Sequence, residues 1–130
     1  MSILHRDPIG SSIIGAAIDV HRALGPGLLE VAYRTCLAYE LLERGLRVES
    51  EVAVPLTFKG VKMNCGFRLD FLIEGAVIVE VKCVERLLPV HSAQVITYLR
   101  ITGARQGFLI NFHGVTLKEG LKSFLAPMGD

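Results

Sequence analysis

The chain has 130 residues, roughly half of them apolar, and its 14 basic and 13 acidic side chains leave a net charge of +1. That length suits one compact domain over residues 1–130 with a real hydrophobic core, and the apolar content excludes a disordered chain. The near-neutral balance excludes a protein that grips a duplex by basic excess alone, and no apolar run approaches the roughly 18–20 residues that cross a bilayer.

The opening residues, M-S-I-L-H-R-D-P, lack the basic-then-apolar layout of a secretion signal, so no membrane association and a cytoplasmic location are expected. From residue 9 to 24, Ile13, Ile14, Ala17, Ile18, Val20 and Leu24 recur at helical spacing, with Ser11 or Ser12 as the cap and Gly25-Pro26-Gly27 as the stop. A second helix is expected over 28–44, with Val31, Leu37, Ala38, Leu41 and Leu42 as its core stripe and Gly45 as its end. The pattern then changes to period two: Val48, Val52 and Val54 alternate with Glu49 and Glu51. Pro55 and Lys59-Gly60 mark turns, and residues 61–65 return as a short strand. Residues 66–73 and 76–83 form a hairpin. A helix over 90–102, a buried strand over 107–112 and a last helix over 117–124 complete the chain, leaving a frayed tail. The order is α-α-β-β-β-β-α-β-α. The strand–helix–strand unit implies a parallel crossover beside antiparallel strands, hence a mixed central sheet flanked by helices.

The hairpin carries the unusual chemistry. Its sequence, R-L-D-F-L-I-E-G-A-V-I-V-E-V-K from Arg68 to Lys82, embeds Asp70, Glu80 and Lys82 among apolar residues. A charge in such a strand is solvated, paired or bound to a metal, because burying it alone is costly. Glu80 and Lys82, two apart, share a face. A three-residue Ile73-Glu74-Gly75 loop, with Gly75 left-handed, puts Asp70 opposite Ile78 and diagonal to Glu80, roughly 7–8 Å between Cβ atoms. A two-residue Glu74-Gly75 loop puts the two acids on opposite faces. The shared face therefore needs an odd loop or a bulge.

Four motifs in order extend this pattern: Gly27-Leu28-Leu29-Glu30-Val31-Ala32-Tyr33, then Asp70, then Glu80-Val81-Lys82, then Gln94 and Tyr98 one helical turn apart. From about residue 9 to 124 the chain resembles the GxxExxY family, and through it the PD-(D/E)xK nuclease superfamily. The resemblance implies a restriction-endonuclease-like core and a divalent-metal-dependent nuclease, with DNA favoured over RNA. Asp70, Glu80 and the Val81 carbonyl would hold Mg²⁺ or Mn²⁺ through hard oxygen ligands, with Glu30 completing the shell. Lys82 would hold or deprotonate the attacking water and steady developing charge, and Gln94 would orient the site. Arg68, Tyr98 and Tyr33 are the substrate contacts it implies. Leu69 stands where the superfamily's name has proline.

Plainer readings accompany each residue. Glu80 and Lys82 could be an ion pair on a solvated face, contributing about 0–1 kcal/mol. Glu30 is also a favourable first-turn acid, and Tyr33 and Tyr98 are also core residues with bonded hydroxyls. Arg68 is as much an ion-pair partner for Asp70 or Glu80 as a phosphate contact. Cys36, Cys65 and Cys83 are odd in number without a C-x-x-C pair, which argues against disulfides and zinc, and Cys36 and Cys83 read as buried, inert thiols. His5, His21, His91 and His113 share no metal spacing. The competing function is a catalytically inactive module of the same fold that binds nucleic acid or a protein. A homodimer or a partner protein would supply the grip that a charge of +1 does not.

Overall fold

The computed structural model describes residues 7–126. His5, the rest of the N-terminal stretch and the last residues of the expected tail lie outside them. Along the chain run α1 (Pro8–Leu24), α2 (Glu30–Glu43), β1 (Val48–Ala53), β2 (Leu56–Phe58), β3 (Val61–Met63), β4 (Arg68–Ile73), β5 (Val77–Lys82), α3 (Pro89–Thr102), β6 (Gln106–Asn111) and β7 (Leu121–Leu125). Five strands form one sheet in the order β1-β4-β5-β6-β7, and β2-β3 form a separate hairpin. Among the described residues only β5 and β6 pair in parallel, joined through α3; the other neighbours are antiparallel. This is the mixed sheet flanked by helices that the sequence implied, a restriction-endonuclease-like α/β fold.

Each face of the sheet buries a different helix layer. Ile13, Ala16, Ala17 and Val20 of α1 and Tyr33, Leu37 and Leu41 of α2 cover Phe71, Ile73, Val77, Val79, Val81, Phe108 and Ile110. On the other face, Tyr98 and Leu99 of α3 pack with Val54, Leu69 and Ile78. Gly107 lets α3 approach closely, since a Cβ there would come within 2.7 Å of the Val95 side chain. In α2 the interior stripe begins at Tyr33, whose ring stacks on Phe112 with centroids 4.8 Å apart. Val31 and Leu42, expected inside, are exposed, because the 33–37–41 spacing turns them outward.

Other boundaries differ from the sequence expectation for identifiable reasons. Asp7, not Ser11 or Ser12, caps α1 by accepting the Ile9 and Gly10 N–H groups, and Pro8 occupies the first turn where its missing donor is harmless. Leu56–Phe58, unassigned from the sequence, pairs with Val61–Met63 across a Lys59-Gly60 turn whose residues both take positive φ. The expected helix over 117–124 is instead one 3-10 turn, Lys118–Gly120, followed by β7. A Cβ on Gly120 would come within 2.3 Å of the Asn111 carbonyl oxygen, so the chain is crowded against the end of β6 just where the next segment begins. Residues 121–125 pair with the open edge of β6 instead.

Candidate active site

The β4–β5 hairpin pairs Phe71 with Val79, Leu72 with Ile78 and Ile73 with Val77. Its loop is therefore odd, as the shared face required, but it is Glu74-Gly75-Ala76 and not Ile73-Glu74-Gly75. Glu74 adopts the left-handed region (φ 54°), and so does Gly75 (φ 64°). Glu74 donates its N–H to the Arg47 carbonyl, and its carboxylate accepts the Arg47 N–H, which ties the loop to the residue just before β1. One step past the last ladder pair, Asp70 comes directly opposite Glu80.

At that step the strands part and side chains replace main chain. The Asp70 N–H donates to Glu80 Oε2 at 2.7 Å, and the Val81 N–H donates to Asp70 Oδ2 at 2.7 Å. A change in β4 accompanies this. Leu69 packs on the α3 side, whereas Phe71 and Ile73, of the same parity, pack on the α1–α2 side. The β1 ladder passes from Ser50↔Phe71 to Val52↔Leu69, skipping Asp70 and Glu51, and Glu51 has φ 51°. β4 thus rotates about Asp70, and a conformation rare for non-glycine residues marks the spot.

The two acids are unevenly buried and close together. Glu80 is buried at 3 % exposure and Asp70 is half-buried. Burial, reinforced by the neighbouring Asp70 charge, pushes the Glu80 carboxyl up to about 8. Burial also raises Asp70, while the Val81 N–H and the Arg34 guanidinium oppose the rise. Each acid gives one oxygen to a backbone N–H. The other oxygens, Asp70 Oδ1 and Glu80 Oε1, take no hydrogen bond among the described residues. Two hard oxygen-donor side chains facing each other, each with an oxygen outside the backbone hydrogen bonds, are a donor pair that suits a divalent ion.

The remaining residues divide by layer. Lys82 is half-buried on the α3 side, and its charge favours ionisation of both acids. Gln94 Nε2 donates to the Tyr98 hydroxyl at 3.1 Å, and burial followed by the Glu80 charge raises that phenol above its ordinary value. On the α2 side, Glu30 is engaged by Arg34 at 3.1 Å, and the same guanidinium stands 3.9 Å from Asp70 Oδ1. Among the described residues no three His, Cys, Asp or Glu side chains are grouped to hold a metal, so Glu30 is not part of a ready-made shell. Arg34 interposes between the two acids it touches. Sequence reasoning missed Arg34, and only its i+4 spacing from Glu30 was visible.

Two of the expected substrate contacts, Tyr33 and Arg68, make main-chain contacts of their own. Tyr33 is wholly buried; its hydroxyl donates to the Gly25 carbonyl at 2.6 Å and accepts the Leu28 N–H at 3.2 Å. It builds the α1–α2 turn from the protein interior. Arg68 is exposed and reaches the Glu51 carbonyl at 3.4 Å; it pairs with neither Asp70 nor Glu80, because β4 turns between Arg68 and Phe71. Cys83 is half-buried, its thiol donating to the Leu28 carbonyl at 3.2 Å; Cys36 is half-buried too, and Cys65 is exposed. The Cys36 and Cys83 thiols are therefore less enclosed than the sequence suggested. His91 caps α3, its Nδ1 accepting the Leu88 N–H.

The family follows from comparison with known sequences. A family model described as the PD-(D/E)XK nuclease superfamily matches residues 7–124. The chain belongs to that superfamily, which gives it a nuclease-type function in general terms; nucleases of this superfamily generally use divalent metals. Neither curated proteins nor solved structures gave a match. No helix among the described residues is long and apolar enough to cross a membrane.

Proposed function

We propose that the protein is a divalent-metal-dependent nuclease that hydrolyses phosphodiester bonds, in DNA before RNA. One observation carries this reading: Asp70 and Glu80 face each other where β4 and β5 part, and among the described residues neither Asp70 Oδ1 nor Glu80 Oε1 takes a hydrogen bond. In this reading Asp70, Glu80 and the Val81 carbonyl hold Mg²⁺ or Mn²⁺, and Glu30 joins them only by releasing Arg34. Bound there, the ion supplies neutralisation of the scissile phosphate and a more acidic water.

The protein's own groups do the rest. Lys82 presents its ammonium beside the acids, positions the attacking water by hydrogen bonding and balances charge growing on phosphate oxygens. Gln94, tied to Tyr98, orients the α3 side of the site, and Tyr98 offers its hydroxyl to substrate. The exposed Arg68 contacts a flanking phosphate. Lys82→Ala and Asp70→Ala should each lower cleavage of plasmid or oligonucleotide DNA by at least about 100-fold in Mn²⁺, with the fold intact by circular dichroism. Folded wild-type protein that binds Mn²⁺ and cuts no nucleic acid would overturn this function.

The charge of +1 favours a second reading, an inactive module or a subunit that borrows its grip from a homodimer or protein partner. It expects nucleic-acid binding that survives both substitutions and does not depend on metal.

A further inference from the structure

A cleft of about 660 Å³ opens between α3 and the β2–β3 hairpin, beside the candidate site. Its walls are largely apolar, with Leu56, Phe67, Val90 and Ile101 contributing, while Lys82 and Gln94 line it as polar groups. Phe67 meets Tyr98 edge-on, ring centroids 6.5 Å apart at 60°, and both rings border the cleft. Phe67 is 41 % exposed, yet its main chain is fixed, its carbonyl accepting the Val54 N–H at 2.9 Å. The result is an aromatic ring on an anchored main chain, backed by Tyr98 and presented to solvent within a pocket that shares Lys82, Gln94 and Tyr98 with the candidate site.

We propose that this cleft is a base subsite: it takes one unpaired nucleobase of a single-stranded or frayed DNA strand whose phosphate lies at Lys82. The inference rests on the nucleic-acid reading of Asp70, Glu80 and Lys82 and narrows its substrate. A nucleotide carries a charged phosphate at one end and a flat, largely apolar base at the other, which is the polarity of this cleft. The volume falls within the roughly 300–1,000 Å³ of small-ligand pockets. A base inside a duplex reaches such a pocket only after unstacking at a cost of a few kcal/mol, which a single strand avoids. Charge points the same way. Duplex affinity grows with the number of phosphates neutralised, whereas single strands gain about 1–3 kcal/mol for each base stacked on an aromatic ring. A protein with a charge of +1 and an exposed phenylalanine lining the cleft suits the second mode.

The test measures binding in EDTA, without turnover. Wild-type protein is titrated into a single-stranded DNA carrying 2-aminopurine, into a blunt duplex of the same sequence, and into a strand with an abasic position in place of 2-aminopurine. The single strand is expected to bind at least tenfold tighter than the duplex, with a change in 2-aminopurine fluorescence. Phe67→Ala, Ala93→Trp at an exposed lining position, and the abasic strand should each weaken binding by about 5- to 100-fold. Equal affinity for duplex and single strand overturns the proposal, and so does an abasic strand that binds within twofold of the intact one. The abasic arm uses wild-type protein, so misfolding of a variant cannot obscure the answer. A parallel Mn²⁺ cleavage assay separates this inference from the nuclease reading. Base-dependent binding without cleavage keeps the subsite and removes the nuclease, whereas duplex cleavage without single-strand preference does the reverse.

Discussion

One face of β5 is wholly apolar, whereas the other carries two charged side chains beside one apolar residue. Val77, Val79 and Val81 point into the α1–α2 layer, each wholly buried among apolar neighbours. Ile78, Glu80 and Lys82 belong to the α3 side, where a carboxyl at 3 % exposure lies beside Asp70. The first face lowers free energy by removing apolar area from water. The second retains a group whose charge the surroundings resist. One strand thus carries the stability of the fold and, on alternate residues, its candidate chemistry; the difference teaches that the acids are not there for stability.

That contrast can be broken most forcefully from the apolar face. Phe71→Ala, in β4 against the α1–α2 layer, should lower unfolding free energy by about 3–5 kcal/mol in urea melts, with metal affinity per folded molecule unchanged. A loss below 1 kcal/mol would erase the distinction between the faces. From the charged face the outcome reverses. Glu80→Gln keeps an oxygen for the Asp70 N–H but removes the ionisable carboxyl, and should raise stability by about 1 kcal/mol or more near pH 8 while weakening Mn²⁺ binding measured by calorimetry. The wild type explains why. Between pH 4.5, the ordinary value for the group, and about 8, folded protein retains a proton on Glu80 that the unfolded chain has released. Its contribution to stability is present at the acid end of that window and is lost as pH rises through it. Thermal melts of metal-free protein should show this decline, and Glu80→Gln should flatten it. The smallest effect is expected at Arg34→Met. Stability should change by less than about 1 kcal/mol, because the guanidinium is partly solvated, while the Asp70 carboxyl titrates at higher pH by NMR once the opposing cation is gone. A fall in that titration would show that Arg34 does not act on Asp70.

Sequence periodicity disclosed the helices, the central hairpin and the parallel unit because those elements carry local signals. Counting residues at Gly75 even required an odd loop, although not which three residues form it. Glu74 enters the left-handed region because Arg47 binds it from both sides, a contact made across 27 positions. The terminal strand escaped notice for a related reason. Leu117, Leu121 and Phe124 fit a helical stripe, and only the open edge of β6 and the crowding at Gly120 select a strand. Asp70, Glu80 and Lys82 stood out as charges in apolar strands. Arg34 and Phe67 did not, since an arginine on a helix and a phenylalanine before a strand carry no signal until α2 and α3 are packed on the sheet.

The two amides at the parting of β4 and β5 have a consequence for motion. The Asp70 and Val81 N–H groups have carboxylate oxygens as partners, so their protection from solvent exchange reports where those side chains are. Any ligand that draws either acid away releases an amide at the centre of the sheet. Hydrogen exchange at these two positions is therefore a built-in gauge of occupancy, readable without substrate and without turnover. The apolar ladder from Phe71 to Ile73 next door serves as its unmoving reference.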